Sequence, residues 1–239
     1  MAELDLLFLG SGNAFAAQGR AFSSFLLNGR YLFDCGPTVL QQLAKADVSP
    51  NNIETIFISH FHADHFFGLP FLLLAARQSG RVKDMTIVGP PGIEQQTRSL
   101  LSLGYPNLAD GPDYALRYVE VMDGASPPIG GAELTAARVD HVEYFECFAY
   151  RIEIEGHSVV YSGDTTLCDG LLRLVEGADV VVTECSCANV DVHLGPAGVE
   201  EVARCAPNAR VIVTHLDGLE HPTGFQGLIV AEDLGRYRF

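Results

Sequence analysis

Three histidines and an aspartate lie within six residues, directly after the apolar, β-branched run 55–59, in the order His60-Phe61-His62-Ala63-Asp64-His65. Imidazole and carboxylate groups at this density are costly to bury unless a cation holds them. Donors of these types suit a borderline divalent ion such as zinc, and four so close together cannot all reach one tetrahedral ion without strain. The spacing therefore predicts two adjacent ions, with His60 and His62 on one and Asp64 and His65 on the other. A histidine-rich surface loop is the alternative, and the strand-like run before the motif disfavours it.

Three further donors follow short apolar segments elsewhere in the chain. Asp164 comes after the run 159–161 and a glycine turn, His215 after the run 211–214, and His141 after the run 136–140. Strand ends deliver side chains to one rim of a sheet, where functional groups gather. A single histidine or aspartate at such a place is more often a turn residue than a ligand. Their joint occurrence behind the histidine motif predicts that they complete a metal centre.

Interleaved strand and helix patterns must position these donors. Strands are predicted at 5–9, 23–27, 31–34, 56–59, 85–88, 133–139, 147–154, 158–162, 180–183 and 211–214, and helices at 39–46, 69–78, 93–103, 170–175 and 197–205. The donors fall in the loops between these elements. The order predicts an α/β protein, specifically an αββα sandwich of two mixed sheets flanked by helices. We find no repeat or linker, so we expect a single domain over residues 1–239.

Further motifs resemble those of the metallo-β-lactamase superfamily, on the branch that contains ribonuclease Z and related phosphodiesterases. They are the opening strand and glycine turn at 7–13, D-x-G at 34–36, G-P-P-G at 89–92, S-G-D-T at 162–165 and T-H at 214–215. The similarity runs from about residue 4 to residue 231, which is nearly the whole chain. The set is highly specific for the superfamily and much less specific for the substrate.

The resemblance implies a ligand set that agrees with the spacing argument. It implies that His60, His62 and His141 hold one ion, that Asp64, His65 and His215 hold the other, and that Asp164 bridges both. The ions expected are two Zn²⁺, with Mn²⁺ or iron as alternatives. The resemblance also implies that Asp34 orients a metal-bound histidine, a role that some carboxylate is expected to fill. An ordinary turn acceptor is the alternative for Asp34.

Two adjacent divalent ions predict hydrolysis. They lower the pKa of a shared water and stabilise the charge that develops on a phosphoryl or carbonyl oxygen. The sequence contains no G-x-S-x-G or cysteine–histidine nucleophile pattern that would compete. We expect His193 to protonate the leaving group, because it lies where ribonuclease Z-like proteins carry an H-S-T histidine, although Leu194 and Gly195 follow it here. A helix-cap histidine is the alternative, and Asp64 could share the proton transfer as well as bind metal.

The net charge of the chain restricts the class of substrate that we expect. The net formal charge of −15 opposes polyanions, whose binding depends on basic contacts. Residues 103–127 contain Arg117 as their only lysine or arginine, whereas ribonuclease Z-like enzymes that process transfer RNA carry a protruding arm for it. We therefore expect a small phosphodiester, with nucleic acid disfavoured. Arg20 could contact a phosphate, although an exposed, solvated arginine is the favoured alternative. Three phenylalanines could wall an apolar substituent, although simple core packing is the favoured alternative for them; they are Phe61, Phe66 and Phe67.

Other functional classes stay open. They are a hydrolase of a lactone, thioester or β-lactam, a ribonuclease Z-like transfer RNA 3′ endonuclease, a non-catalytic scaffold and, as a lesser option, an iron-based redox protein. Comparing the turnover of a phosphodiester with that of a lactone distinguishes a phosphodiesterase from a carbonyl hydrolase. Measured metal content separates the scaffold, since the whole ligand set is present.

Location and assembly follow from the remaining features. No apolar run reaches the roughly eighteen residues of a membrane span, and residues 1–5 lack the basic start of a signal peptide. We therefore expect a cytoplasmic protein with no membrane partner and with reduced cysteines. The C-x-C of Cys185 and Cys187 is expected to be a plain loop. The sequence leaves a homodimer open.

Overall fold

A computed structural model of the chain describes residues 3–109, 111–125, 127–218 and 227–239. Its strands are β1 (Asp5–Gly10), β2 (Ser24–Leu27), β3 (Tyr31–Phe33), β4 (Thr55–Phe57), β5 (Met85–Gly89), β6 (Leu116–Glu120), β7 (Pro128–Ile129), β8 (Ala132–Val139), β9 (Cys147–Ile154), β10 (His157–Tyr161), β11 (Val180–Glu184), β12 (Arg210–Thr214), β13 (Leu228–Val230) and β14 (Arg236–Arg238). Its helices are α1 (Val39–Lys45), α2 (Ala63–Phe66), α3 (Leu69–Gln78), α4 (Ile93–Gly104), α5 (Asp169–Val175) and α6 (Pro196–Cys205).

The strands form two seven-stranded mixed sheets, with the order β14-β1-β2-β3-β4-β5-β6 in the first and β13-β12-β11-β10-β9-β8-β7 in the second. Alternation along β1 shows how the layers arise, because successive side chains of a strand point to opposite faces. Leu6 and Phe8 pack in the core between the sheets, whereas Leu7 and Leu9 pack in an outer core beneath α1, α3 and α4. A second outer core lies beneath α5 and α6. The predicted αββα sandwich is confirmed.

The core between the sheets is rich in aromatic rings and reaches up to the rim of the sandwich. Phe25 and Phe33 stack with their centroids 4.4 Å apart, and the ring of Tyr161 packs edge-on against both. Such pairs contribute about 0.5–1.5 kcal/mol beyond the burial of their surface. The Tyr150 hydroxyl donates to the carbonyl oxygen of Ile58, just beyond β4. The same packed core therefore holds strand ends of both sheets in fixed relative positions.

Strand direction brings the candidate donors to one rim. Strands β3, β4, β5 and β6 are parallel to one another, and so are β10, β11, β12 and β13. Strand β9 is antiparallel to both β8 and β10, so β8 runs in the same direction as β10. The carboxyl ends of these strands, from which the predicted ligands follow, therefore meet at the same edge of their sheet.

Every strand and helix that the sequence predicts is present, with ends that shift by a residue or two. The short helix α2 was not predicted, because its residues belong to the histidine motif and carry no apolar repeat. Strands β6, β7, β13 and β14 were also absent from the predicted strands, since each is short or half exposed at the edge of a sheet. None of the helices in the described ranges has the length and hydropathy that a membrane-spanning segment needs.

Candidate metal centre

Histidine and carboxylate side chains from both sheets converge at the shared rim. The described residues contain three overlapping groups of donors whose ligand atoms lie within 4.8 Å of one another within each group. The groups are His60, His62, His141 and Asp164; Asp64, His65 and His215; and Asp164, Glu184, His193 and His215. Every member is buried except His62 and His193, which are partly exposed. Each ligand residue expected from the sequence lies in one of these groups.

The first cluster, which consists of His60, His62 and His141, brings three imidazole nitrogens together. Nδ1 of His62 lies 2.9 Å from Nε2 of His60 and 3.2 Å from Nε2 of His141. Oδ2 of Asp164 lies 4.0 Å from Nε2 of His60 and 3.9 Å from Nε2 of His141. Burial lowers the pKa of both His60 and His62, and neighbouring rings lower it further. These two rings are therefore neutral, which is the form that binds a metal ion.

The second cluster, which consists of Asp64, His65 and His215, combines carboxylate and imidazole groups. Oδ2 of Asp164 lies 3.3 Å from Nε2 of His65 and 3.3 Å from Nε2 of His215, so Asp164 contacts this cluster as well as the first. Burial disfavours the charged rings, but Asp164 and Asp64 raise the pKa of His65 well above its usual value and that of His215 to about 10. Despite their own burial, the two rings hold the pKa values of Asp64 and Asp164 below the usual range.

Asp34 supports one histidine of each cluster through the ring nitrogen that faces away from the other donors. Its Oδ2 accepts hydrogen bonds from Nδ1 of His65 at 2.7 Å and from the Tyr161 hydroxyl at 2.6 Å. The backbone N–H of Ser59 donates to Oδ1, and the Ser59 hydroxyl donates to Oδ2 at 2.8 Å while lying 3.0 Å from Nδ1 of His60. A carboxylate on the outer nitrogen of a histidine fixes the orientation of its ring. Asp34 therefore orients His65 directly and His60 through Ser59, as the resemblance implied.

Two other histidines have outer partners. Nδ1 of His141 lies 2.7 Å from the carbonyl oxygen of Val192, and Nε2 of His62 lies 2.9 Å from the hydroxyl of Tyr144. Each partner leaves the opposite ring nitrogen facing the first cluster. Tyr144 differs from the other partners because 70% of its surface is exposed.

Left-handed backbone turns aim the donors at the rim. Asp34, Gly163 and His215 follow β3, β10 and β12 with φ values of 55°, 58° and 53°. A Cβ atom on Gly163 would lie 2.7 Å from the Cβ of Ser59, so both the φ value and the space require glycine there. Non-glycine residues in this region carry strain of about 1–3 kcal/mol and persist where the surroundings hold them. Asp34 and His215 are both held by the site, which places strain where function is expected.

Three buried polar atoms of the second cluster and Asp164 have no hydrogen-bond partner within the described residues. They are Nε2 of His65, Nδ1 of His215 and Oδ1 of Asp164. Leaving such an atom unpaired costs about 1–3 kcal/mol. A cation held among these donors would satisfy atoms that the protein alone leaves unpaired. The donor set and its unpaired atoms thus fit divalent metal ions.

Glu184 is the candidate functional residue that the sequence did not single out. Its Oε2 lies 2.8 Å from Nδ1 of His193 and 3.7 Å from Nδ1 of His215, while Oε1 accepts a hydrogen bond from the backbone N–H of Thr165. Burial disfavours the charged ring of His193, but the hydrogen bond that its Nδ1–H donates to Glu184 raises the pKa of His193 above the usual value. The sequence did contain an indication of this residue, because Glu184 is a charged residue at the end of a strand whose other residues are three valines and a threonine.

A pocket of about 180 Å³ opens over the two clusters. Its floor includes Asp64 and Asp164, its walls come from residues 13–15 and 186–189, and His193 lines it. None of the described residues that line it is a lysine or arginine. Among the described lining residues, a formal positive charge can therefore come only from a histidine, apart from any bound metal ion.

Two possibilities that the sequence raised for the walls of the pocket are not realised among the described residues. Arg20 does not line it and donates instead to the Ser11 hydroxyl at 2.8 Å and to the carbonyl oxygen of Ala231. Phe66 is buried in the outer core beneath α3, and Phe61 packs against it. Phe67 is 45% exposed but is not among the pocket residues either. Core packing, the favoured alternative for these rings, therefore holds for Phe66 and Phe61, and none of the three rings lines the pocket.

An αββα sandwich with a histidine and aspartate cluster at its rim defines a class of hydrolase. The chain belongs to the metallo-β-lactamase superfamily, since the family model described as "Beta-lactamase superfamily domain" matches residues 29–216. The resemblance drawn from the sequence motifs is confirmed. The chain is related to ribonuclease Z and the phosphodiesterases of this superfamily.

Individual relatives cover nearly the whole chain. Ribonuclease BN of Citrobacter koseri is 28% identical over 293 aligned residues, covering 95% of this chain and 93% of the relative. The human short-form tRNase Z (ELAC1) is similar in structure with a TM-score of 0.76 and 25% identity, covering 98% of each chain. YhfI of Bacillus subtilis, a metallo-β-lactamase fold protein, has a TM-score of 0.78 and 20% identity over 100% of both chains. The last of these shows the shared fold.

Proposed function

We propose that this protein is a phosphodiesterase that uses two divalent metal ions, Zn²⁺ foremost, to hydrolyse a small phosphodiester. The observation that carries the proposal is the pair of donor clusters that share Asp164 beneath a small pocket. When bound, two such ions would supply an activated water and neutralise charge on a phosphoryl oxygen. The unpaired buried atoms of His65, His215 and Asp164 support ions at this place.

The proposed ligands follow the two clusters. They are His60, His62 and His141 for one ion, Asp64, His65 and His215 for the other, and Asp164 for both. Asp164 suits the shared role because its Oδ2 lies within 4.0 Å of nitrogens from both clusters. Asp34 and Ser59 would keep the rings of His65 and His60 in place while the ions bind.

His193 is the proposed donor of the proton to the leaving group. Its Nδ1 is engaged by Glu184, so Nε2 is the nitrogen that could reach a substrate in the pocket it lines. The raised pKa keeps more of the ring protonated near neutral pH, as a general acid requires. Asp64 has a pKa held below the usual range by His65 and His215 despite its burial, so it suits metal binding better than proton donation.

Charge and size favour a small ester over transfer RNA. The net charge is −15, and Arg117, the one cation of residues 103–127, pairs with Asp84 at 2.8 Å. The alignment to ribonuclease BN is longer than the 239 residues of this chain, so that relative has inserted segments that this chain lacks. With neither basic arm nor basic pocket, long-range attraction for a polyanion is missing.

Transfer RNA 3′ processing is the second candidate, and the 28% identity to ribonuclease BN favours it. Metal-loaded protein should be given precursor transfer RNA, bis(4-nitrophenyl) phosphate, a cyclic nucleotide, a lactone and a β-lactam side by side at low salt. We expect the highest specificity constant on a small phosphodiester. A higher constant on precursor transfer RNA, with cleavage at its 3′ side, would replace our proposal with the second candidate. Preferred turnover of the lactone or β-lactam would establish a carbonyl hydrolase instead.

Metal removal is the control for this panel. Protein stripped with a chelator should lose phosphodiester turnover and regain it when Zn²⁺ is added, with Mn²⁺ and Fe²⁺ as comparisons. Full activity in protein that holds less than a small fraction of one ion per chain would rule out the proposed mechanism. Absence of bound metal and of turnover under all loading conditions would point to a scaffold.

A further inference from the structure

We propose that the pocket binds a planar, uncharged aromatic ring of the substrate against Phe15. The inference rests on the proposed phosphodiesterase function and adds the chemical class of one ester substituent. The ring could be a nucleobase or a simple aryl group, since both present the same flat apolar face. The two sources are separated by the experiment below.

Phe15 lines the pocket as an exposed aromatic side chain on a loop whose backbone is held by hydrogen bonds. It is 89% exposed, yet it lines the same cavity as Asp64, Asp164 and His193. The side chain of Asn13 accepts a hydrogen bond from the Phe15 backbone N–H at 3.1 Å, and the Gln18 amide donates to the carbonyl oxygen of Gly218 at 3.1 Å. Single exposed apolar residues are common on protein surfaces. This one is distinguished by its position above the reacting centre, where a bound ring would cover it.

A second part of the pocket wall is small, neutral and fixed in place. It comes from Ser186, Ala188 and Asn189, in the loop after β11. Oδ2 of Asp217 accepts hydrogen bonds from the Ser186 hydroxyl at 3.1 Å and from the backbone N–H groups of Cys187 and Ala188 at 2.7 and 2.8 Å. This carboxylate ties the loop after β11 to the end of β12. Phe15 and the Ala188 region are therefore two anchored walls of one slot.

Charge restricts what can occupy the slot beyond the phosphate. Asp64 and Asp164 lie on its floor, and the described lining contains no lysine or arginine. A second phosphate or a carboxylate on the substrate would meet this like charge, with no lysine or arginine among the described lining residues to offset it. Asn13, Ser186 and Asn189 offer neutral hydrogen-bonding groups instead. A flat neutral ring can stack on Phe15 and use these groups at its edge.

The test compares two esters that share one leaving group. These are the 4-nitrophenyl ester of thymidine 5′-monophosphate and ethyl 4-nitrophenyl phosphate. A third, phenyl 4-nitrophenyl phosphate, separates a nucleobase from a simple aryl group. We expect kcat/KM to be about tenfold or more higher for the thymidine or phenyl ester than for the ethyl ester, from the usual strength of base–aromatic stacking. Phe15→Ala should abolish that preference, chiefly by raising KM for the thymidine and phenyl esters.

Matched variants keep the interpretation clear. Phe71, a second exposed phenylalanine that packs near Tyr105 on the helical layer, serves as control, and Phe71→Ala should keep the preference. Phe15→Trp should retain it. If the esters are cleaved with equal efficiency, or if the preference survives in Phe15→Ala, the ring subsite is disproved while the phosphodiesterase proposal stands.

Binding measurements cover the case in which neither ester is hydrolysed. Calorimetry with the zinc-loaded protein then compares the affinity of the thymidine and ethyl esters directly. Tighter binding of the thymidine ester that is lost in Phe15→Ala would support the subsite even though the proposed function had failed. Equal affinity, or no binding of either ester, would overturn the subsite as well.

Discussion

The two donor clusters sit side by side at one rim but differ in chemistry. The first cluster contributes three imidazole rings, and burial keeps His60 and His62 neutral. In the second cluster carboxylates surround His65 and His215, and their attraction outweighs burial so that both rings carry protons. A metal ion must displace such protons before it binds. The first cluster is therefore already in the neutral form that binds a metal ion, whereas the second would give up its internal ion pairs and their protons on binding one.

Asp164 is the point at which the two clusters join, and its removal should have the largest effect. Asp164→Ala should lower phosphodiester turnover by on the order of 10⁴-fold or more, because each ion would supply several kcal/mol of charge stabilisation. Metal analysis should show reduced occupancy of both sites. Asp140→Ala, at an exposed carboxylate on the same rim, is the control and should keep metal and activity. Normal activity in Asp164→Ala would show that the two clusters do not depend on a shared carboxylate.

Variants of one cluster at a time should separate the two sites. His62→Ala should remove about one ion from the first cluster, and His215→Ala about one ion from the second, with turnover falling roughly 10³-fold in each. Metal content per chain and circular dichroism check the loss against unfolding. If either variant releases both ions, the clusters bind metal as one unit and our division into two is wrong.

His193 should affect turnover without affecting either cluster. His193→Gln should lower turnover by roughly 10²-fold, as loss of a general acid does, and leave metal content unchanged. In the unaltered protein activity should fall as pH rises through the raised pKa of His193, because the proton to be donated is lost. His157→Gln, at the far end of β10 from the rim, is the control. Loss of metal in His193→Gln would show that this ring is a ligand.

The residues that contact the outer ring nitrogens of the histidines should differ in how strongly they support metal binding. Asp34→Asn should weaken metal binding by about 10–100-fold, because this buried carboxylate supports His65 directly and His60 through Ser59. Tyr144→Phe should weaken the first cluster by less than about tenfold, since water can replace an exposed hydroxyl. Competition with a chelating dye measures both affinities. Equal effects would mean that burial of the partner is unimportant here.

The two clusters should also differ in how their zinc affinity depends on pH. Lowering the pH favours protonated His65 and His215, whose pKa values are already raised, so zinc affinity of the second cluster should fall steeply. The first cluster should respond less, because His60 and His62 have lowered pKa values and are unprotonated at neutral pH. Zinc titrations of His62→Ala and His215→Ala at about pH 6 and about pH 8 isolate each cluster. If zinc affinity depends equally on pH in both variants, the proposed difference in protonation between the two clusters is wrong.

Much of the fold follows from local patterns. The run 55–59 before the histidine motif and the run 211–214 before His215 are strands because β-branched residues pack well in a buried sheet. Strands β6 and β14 were not predicted because they lie at sheet edges, where neighbours bury them on one side only and the apolar pattern is weak. Helix α2 escaped because it is held by backbone contacts with the loop after β3, where Cys35 donates to the carbonyl oxygen of His65. Such contacts leave no periodic trace in the sequence.

The sequence by itself determined the class of protein and the ligand types, because metal binding requires particular donors at strand ends and these are visible as residues. Only the tertiary structure decided which groups surround them. Glu184 lies nine residues before His193 in the chain, yet its partnership with that ring depends on how β11 meets the loop beyond it. Phe15 likewise reaches the pocket only because β1 and β12 end at the same rim, whereas Phe61 and Phe66 turn into the outer core. Protonation, burial and pocket shape are properties of neighbours in space, and a linear pattern does not contain them.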